Sequence, residues 1–461
     1  MRRDLSTHAH AREAQTQPNQ ERVSRRPGLA GAALAVAVLV ATLAACGSPD
    51  GSRVDDRGPA GPIRVDEIDL SSGAAVLRAP LSPRTRPLVV AAGTRLLVMG
   101  GELGLERSAA PDAQGGGELR APNATDGAWF DPADGAWHAV TPMPDGLGLF
   151  APAGVWTGRE VVVAGTGCRL GTYDGDDPEG PDCDPGGFRV LRYTPDGAAG
   201  SWTVLPTGAL PDALAGAVRQ AFALAGLGWT GRYAAFAGHL PGARYGTWTV
   251  LLVDSRHGVA RWVDTPARTD RVCVAGRQVI AVRTGQIDDA GGVGQGSGAG
   301  EPIRTWVLDE EKGVWTSPAE RPKTVGGADL FTESVSCGPG ALVYAPVSPP
   351  PVGYGPGALA WDPSRRGWAA LPGLPPVGHP GTPLVARHDQ ALVLWFANGP
   401  LLTLDEGAAR WEQRSAPPLR PVRLMVLGDL LAVEGGDTAT DGPPTIGLLD
   451  LDRYRAAVPA G

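Results

Sequence analysis

Residues 130–140 read Phe130-Asp131-Pro132-Ala133-Asp134-Gly135-Ala136-Trp137-His138-Ala139-Val140, with Pro142-Met143-Pro144 close behind. The stretch spells strand, tight turn, strand. Asp131-Pro132 and Asp134-Gly135 are turn formers, because an aspartate side chain bonds nearby backbone and glycine accepts positive φ. Trp137 follows the turn and is expected to lay its large face beside the next strand pair. The same phrase returns as Trp361-Asp362-Pro363 with Gly367-Trp368, as Leu308-Asp309 with Gly313-Val314-Trp315, and as Leu404-Asp405 with Gly407 and Trp411. Looser copies are Tyr193-Thr194-Pro195-Asp196 with Trp202, Val253-Asp254 with Trp262, and Leu449-Asp450-Leu451-Asp452.

A second kind of hairpin alternates with the first. It is apolar on both arms and turns on glycine or a polar pair: Leu88 to Gly101 around Gly93-Thr94, Gly154 to Gly165 around Gly158-Arg159, and Gly228 to Gly238 around Gly231-Arg232. Further copies run from Val274 to Val282 around Gly276-Arg277, then centre on Gly338-Pro339-Gly340, Arg387-His388-Asp389 and Gly428-Asp429. Near-continuous apolar arms suit strands buried on both faces. One hairpin of each kind makes a four-stranded antiparallel unit a–b–c–d that cannot bury both faces alone, and radial packing of several such units does. Trp137, Trp202, Trp262, Trp315, Trp368 and Trp411 recur at about 43 to 65 residues, near the propeller repeat length. The reading is all-β: a seven-bladed β-propeller over residues 63–461, with eight blades as the alternative. Ile68 to Leu77 looks like part of another outer hairpin and would close the ring against Thr445 to Val458, removing two open edges.

The run of apolar strand, Gly100-Gly101, spacer, Trp129 and Trp137 resembles the kelch motif, and Val155-Trp156-Thr157-Gly158-Arg159-Glu160 resembles the first hairpin of bacterial kelch-like proteins. The resemblance covers roughly residues 88–458, returns at Glu434-Gly435-Gly436, and weakens in repeats four and five, where the double glycine is missing. It implies the propeller of the galactose oxidase and kelch type. Galactose oxidase chemistry does not follow from it. That copper site needs two tyrosines and two histidines, one tyrosine directly preceding a histidine, and no Tyr-His pair occurs here. Fold alone does not confer function.

The N-terminus reads as an address. Arg22, Arg25 and Arg26 precede an apolar run from Leu29 to Ala45 that ends in Leu43-Ala44-Ala45-Cys46-Gly47. A basic region, an apolar region and small residues before a cleavage point make a secretory signal. The cysteine after Leu-Ala-Ala resembles the lipobox of bacterial lipoproteins, which implies cleavage before Cys46, lipidation of Cys46, and retention on the extracytoplasmic side of the cell membrane. An uncleaved spanning helix is the competing account. Residues 1–46 are thus assigned to the signal, with 1–22 preceding the true start if translation begins at Val23, and residues 47–62 to a polar tether. Ser24-Arg25-Arg26-Pro27-Gly28-Leu29 partly resembles a twin-arginine signal, although Gly28 stands where that motif prefers an aromatic residue.

Formal charge is −8, which argues against nucleic acid as a partner because phosphate contacts need a basic surface. In an a–b–c–d unit the a–b and c–d turns fall at one end and the b–c and d–a connections at the other. The long segments, 102–126, 166–187, 285–302, 346–357 and 206–225, are all b–c or d–a. Insertions gathered at one end of a repeat array mark its binding face, though neutral drift of loops gives the same pattern. Cys168, Cys183, Cys273 and Cys337 remain beyond Cys46. Three pairings are open; repeat register favours Cys168 with Cys183 across one loop and Cys273 with Cys337 across two blades. Asp174, Asp176, Asp177 and Asp182 crowd one glycine-containing loop and could hold calcium through oxygen, or form a solvated acidic loop. His239, Arg244 and Tyr245 share another loop with Trp248 nearby, an aromatic and arginine set suited to an interface or a sugar platform, or to local packing. The expectation is a non-catalytic scaffold that binds an envelope protein or glycan. The rival is an extracellular carbohydrate-active hydrolase or lyase with carboxylates converging over the channel from separate blades.

Overall fold

A computed structural model describes residues 63–64 and 73–454, apart from 104–105, 112–116, 121–122, 145–147, 170–172, 175–176, 179–181, 197–198, 208–209, 211–223, 240–247, 268, 284–303, 318–323, 326–327, 330–332, 347–357, 376–382, 390, 397–398, 406, 408, 415–420 and 436–443. Residues 1–62, on which the expected signal, Cys46 and the expected tether fall, lie outside the described residues.

The strands form seven four-stranded antiparallel blades. Blade one is Leu88–Ala92, Arg95–Met99, Gly127–Asp131 and Ala136–Ala139, and blade two is Phe150–Trp156, Val161–Arg169, Asp182–Thr194 and Ser201–Leu205. Blade three is Leu224–Trp229, Ala234–His239, Trp248–Asp254 and Val259–Asp264. Blade four is Arg271–Ala275, Gln278–Arg283, Arg304–Asp309 and Val314–Thr316, and blade five is Glu333–Gly338, Ala341–Pro346, Leu359–Asp362 and Gly367–Ala370. Blade six is Leu384–His388, Ala391–Trp395, Leu401–Asp405 and Arg410–Arg414. Blade seven takes Pro421–Leu427, Leu430–Gly435 and Thr445–Leu449 from the C-terminal end. Its outermost strand is Ala74–Arg78, which pairs Ala74 with Leu449 and Arg78 with Thr445. The predicted closure thus joins the two ends of the chain. Ile63–Arg64 adds a short strand outside Ala136–Ala139.

The first strand of each blade packs against the first strand of the next, and Pro421–Leu427 returns to Leu88–Ala92, completing the circle. Side chains alternate across each strand, so every inner strand feeds two cores. On Arg95–Met99, Leu96 and Val98 face blade seven with Leu427, Ile446 and Leu448. Leu97 and Met99 face blade two with Val161, Val163 and Leu191. The seven apolar cores each lie between two neighbouring blades. Each fully buried aliphatic side chain contributes about 1.5–3 kcal/mol, which is available only when the neighbour it faces is present.

The rim tryptophans lean the opposite way from the sequence expectation. Each packs against the preceding blade, because strand twist rotates the rim of a blade back over its predecessor. Trp137 is almost wholly buried in the core shared with blade seven. The indole nitrogens donate across the same joints: Trp202 to Thr141 O at 2.7 Å, Trp315 to Asp264 O at 2.8 Å, Trp368 to Thr305 Oγ1 at 3.0 Å and Trp411 to Pro372 O at 3.0 Å.

The recurrent aspartates are turn caps, as their sequence setting implies. Asp131, Asp254, Asp309, Asp362, Asp405 and Asp450 each accept from a backbone amide two residues on, at 2.9–3.2 Å. Three of these turns end in left-handed glycine, Gly135, Gly258 and Gly313, whereas Arg366 and Ala409 take the left-handed backbone in their blades. An L side chain there costs about 1–2 kcal/mol.

At this turn end, polar groups link blades. Buried Glu160 of blade two accepts from Ser255 of blade three, and Arg192 donates to Ser255 O at 3.0 Å. Thr230 of blade three donates to Glu310 of blade four at 2.9 Å. Gln278 of blade four donates to Pro363 O of blade five at 3.0 Å. Blades four and five are also joined covalently by Cys273–Cys337, with Cα atoms 5.7 Å apart.

Two outcomes test this arrangement. The bridge closes a loop 64 residues long, so replacing both cysteines with serine should lower stability by up to about 4 kcal/mol, read as a lower denaturant midpoint without reductant. Burial pushes the Glu310 carboxyl above its ordinary range, against the Thr230 hydrogen bond and the charges of Arg261 and Arg232. A raised carboxyl takes up a proton on folding, so its ionisation costs stability as pH rises through the folded value. Glu310→Gln keeps an acceptor for Thr230 and should be more stable than the parent at pH 7. The difference should vanish below the ordinary glutamate value of about 4.3 in paired melts across pH.

Candidate functional site

The end opposite the short turns carries the b–c and d–a segments, and its best-defined feature is the mouth between blades one and two. It is built from the segment that enters blade one. Arg84–Thr85 pairs with Glu102–Leu103, which begins the long b–c segment. The chain can lie so close because two glycines precede Glu102: Gly100 and Gly101 have φ of 61° and 92°, and a β-carbon on Gly101 would stand 2.7 Å from Thr85 O. The Gly100-Gly101 pair is thus the seat of the entry strand.

Arg84 locks that seat. Its side chain has no solvent exposure, and its guanidinium grips Asp126 at 2.9 and 3.2 Å while donating to Gly100 O at 3.2 Å and Ser82 O at 2.9 Å. The two-pronged bond to Asp126 and the bond to Gly100 O together join both ends of the b–c segment to the entry strand. Farther along the segment, Asn123 pairs with Glu102 and donates to Gly148 O at 3.2 Å, reaching the connection into blade two.

Above the seat lies an arginine on an aromatic ring. The Arg86 guanidinium carbon is 5.3 Å from the centre of Phe150, and Arg86 stands 3.5 Å from mostly buried Glu102. Arg86 is 60% exposed at its side chain, so its charge remains available at the surface. Arg86 and Ala151 occupy matching entries to blades one and two, each directly before a proline, and both have positive φ, 48° and 39°. Left-handed backbone is unfavourable for an L residue, and the position before proline is biased toward extended conformations. Such conformations persist where their surroundings over-determine them, and they concentrate at ligand sites.

The b–c segments of the two blades rise at this mouth. In blade one, Glu106–Pro111 pairs with Gly117–Arg120; in blade two, Tyr173–Asp174 pairs with Asp177–Pro178 and approaches Gly117–Arg120. Val161–Arg169 and Asp182–Thr194 continue as a ribbon beyond the rim strand and set Cys168 opposite Cys183 in register. The backbone therefore places those two cysteines together. It also places Asp174 opposite Asp177, with Asp182 at the outer end of the ribbon, while Asp176 and the side chains of the other three lie outside the described residues.

His239 and Trp248 are register partners at the base of the third b–c segment. Trp248 is half-buried against the core between blades three and four, and Thr265 donates to its carbonyl at 2.8 Å, so it has a packing role. Arg244 and Tyr245 lie outside the described residues. The mouth residues Arg84, Arg86, Glu102 and Phe150 were not singled out by sequence. Both positive-φ residues precede prolines, a context that signals extended chain, and the pairing of 84–85 with 102–103 has no local signature.

No family model matches the chain, and no curated protein does. Among solved structures, it is similar to a chain titled as the crystal structure of the mitotic checkpoint complex, at 12% identity and a TM-score of 0.42, with 90% of this chain and 99% of that one covered. It is also similar to the acylaminoacyl peptidase of Pyrococcus horikoshii, at 7% identity and a TM-score of 0.42, with 81% of this chain and 52% of that one covered.

Because Arg84 joins three segments, Arg84→Met should cost about 1.5–3 kcal/mol, the range for hydrogen bonds to charged groups. Asp126 is half-exposed and rehydrates, so the larger loss expected of an orphaned buried charge should not appear. Denaturant unfolding of parent and variant measures the difference.

Proposed function

We propose that this chain is an extracytoplasmic lipoprotein, anchored through Cys46, whose kelch-like propeller binds an envelope protein or glycan through its long-segment face without catalysing a reaction. The observation that carries the reading is the mouth between blades one and two: exposed Arg86 on Phe150, held in unfavourable backbone on a rigid seat, with segments from two blades meeting beside it. Arginine and aromatic side chains are the usual anchors of interfaces, and a preformed scaffold lowers the ordering cost of binding. A bridge between Cys168 and Cys183 would brace the blade-two ribbon in an oxidising compartment. Calcium held by Asp174, Asp176, Asp177 and Asp182 would do the same from its tip.

The test is in-cell cross-linking in the native envelope, followed by mass spectrometry, with the parent compared against Arg86→Ala and a version shortened between 104 and 122. A defined protein partner should be recovered with the parent and fall about tenfold with either variant, the loss of one anchor worth about 1.4 kcal/mol. If no protein is recovered, binding of envelope glycans to the same three versions should show that loss. Equal recovery of every partner and glycan with all three versions would sink the reading. Cys46→Ser should move the protein from the membrane to the soluble fraction.

A further inference from the structure

The turn end of the ring carries a concave feature of its own, at the opposite end from the long segments. A cavity of about 300 Å³ lies between blades four and five, with Val307 and Leu308 in its wall and Arg277, Arg366, Asp309 and Glu310 around it. The two arginines come from different blades: Arg277 from the a–b turn of blade four, Arg366 from the c–d turn of blade five. Both are exposed, and both have left-handed backbone, with φ of 68° and 49°. Sister c–d turns hold Gly135, Gly258 and Gly313 in that conformation, and blade six holds Ala409. Stability alone favours glycine at Arg366, so the side chain is kept against the preference of the backbone.

Neither guanidinium has a carboxylate or carbonyl partner among the described residues, while the acids beside them are already engaged. Asp309 is bonded by Lys312 Nζ at 2.9 Å and by the amides of Glu311 and Lys312 at 3.2 and 3.1 Å. Glu310 accepts from Thr230 at 2.9 Å, and its partial burial disfavours charge on it. The seat is firm as well. A β-carbon on Gly231 would lie 3.5 Å from Arg277 Cδ, so the arginine stem runs along the turn of blade three, and Gly276 abuts Pro363. Two guanidiniums without a protein acceptor among the described residues line one cavity, and forked N–H groups of this kind grip oxyanions.

We propose that the cavity between blades four and five is an anion site, in which Arg277 and Arg366 together bind a phosphate or carboxylate group of a small ligand or chain end. This site stands apart from the long-segment face and does not depend on the reading of that face.

The test is titration calorimetry on the full chain in detergent, using inorganic phosphate, pyrophosphate and malonate as probes at low and high salt. The expected result is one saturable site per chain that weakens with salt. Saturation by the phosphates alone identifies a phosphate site, and saturation by malonate alone a carboxylate site. Affinity should fall at least tenfold in both Arg277→Gln and Arg366→Gly. The second variant carries its own control: glycine relieves the backbone, so Arg366→Gly should melt at or above the parent temperature while losing the anion. Lack of saturation with every probe, or affinity unchanged in both variants, would overturn the proposal and leave an adventitious ion only.

Discussion

The structure depends on one constraint: a blade has two apolar faces and no way to cover either by itself. Leu96 and Val98 point to one neighbour and Leu97 and Met99 to the other, from consecutive positions on one strand. A blade without a neighbour would expose a full core face, so the repeat has no stable end except closure on itself. The chain solves the closing joint by exchanging a strand. Ala74–Arg78 completes the blade that the C-terminal residues begin, and Arg423 of blade seven donates to Val89 O of blade one at 2.7 Å across the joint. Losing the closing strand would open the core that holds Leu77, Val98, Trp137 and Ile446, which contains the most deeply buried of the rim tryptophans.

Closure fixes the division of labour between the two ends. The turn end is held by short-range chemistry: aspartate caps on the c–d hairpins, then hydrogen bonds between the a–b turn of one blade and the c–d turn of the next. The other end is held by Arg84, a single buried cation linking the entry strand to both ends of the first long segment. Because the hydrophobic ring supplies the stability, both ends can carry unfavourable backbone. Arg86 and Ala151 do so at one end, Arg277 and Arg366 at the other. Each costs on the order of 1–3 kcal/mol, a sum that a small isolated sheet could not sustain.

Legibility in the sequence followed the range of the interaction. The Asp-Gly-Trp hairpins were readable because an aspartate cap spans two residues and a left-handed glycine one. The blade cores were readable because the apolar alternation lies along single strands. The Cys273–Cys337 bridge and the N-terminal closing strand were readable one level up, from the register of the repeats. What escaped was contact between segments with no repeat relation. Trp202 reaches Thr141, and Arg84 reaches Asp126, through geometry that exists only after the ring has formed. The direction of the tryptophans was misjudged for the same reason: the hairpin specifies that the indole leaves the sheet, and blade twist decides which neighbour receives it.

The same distinction explains why the functional reading is harder than the fold. Repetition makes a propeller conspicuous, since its determinants occur up to seven times. A site on it is made of what departs from the repeat. Arg366 stands where Gly135 and Gly313 stand in sister turns, and Arg86 lies over Phe150 at an entry where blade two has Ala151. The left-handed positions cost backbone energy that glycine would spare. In a chain whose stability comes from one repeated contact, a residue that breaks the repeat at a local cost is the informative one. Both ends of this ring present such arginines, and both present them on surfaces that two adjacent blades form together.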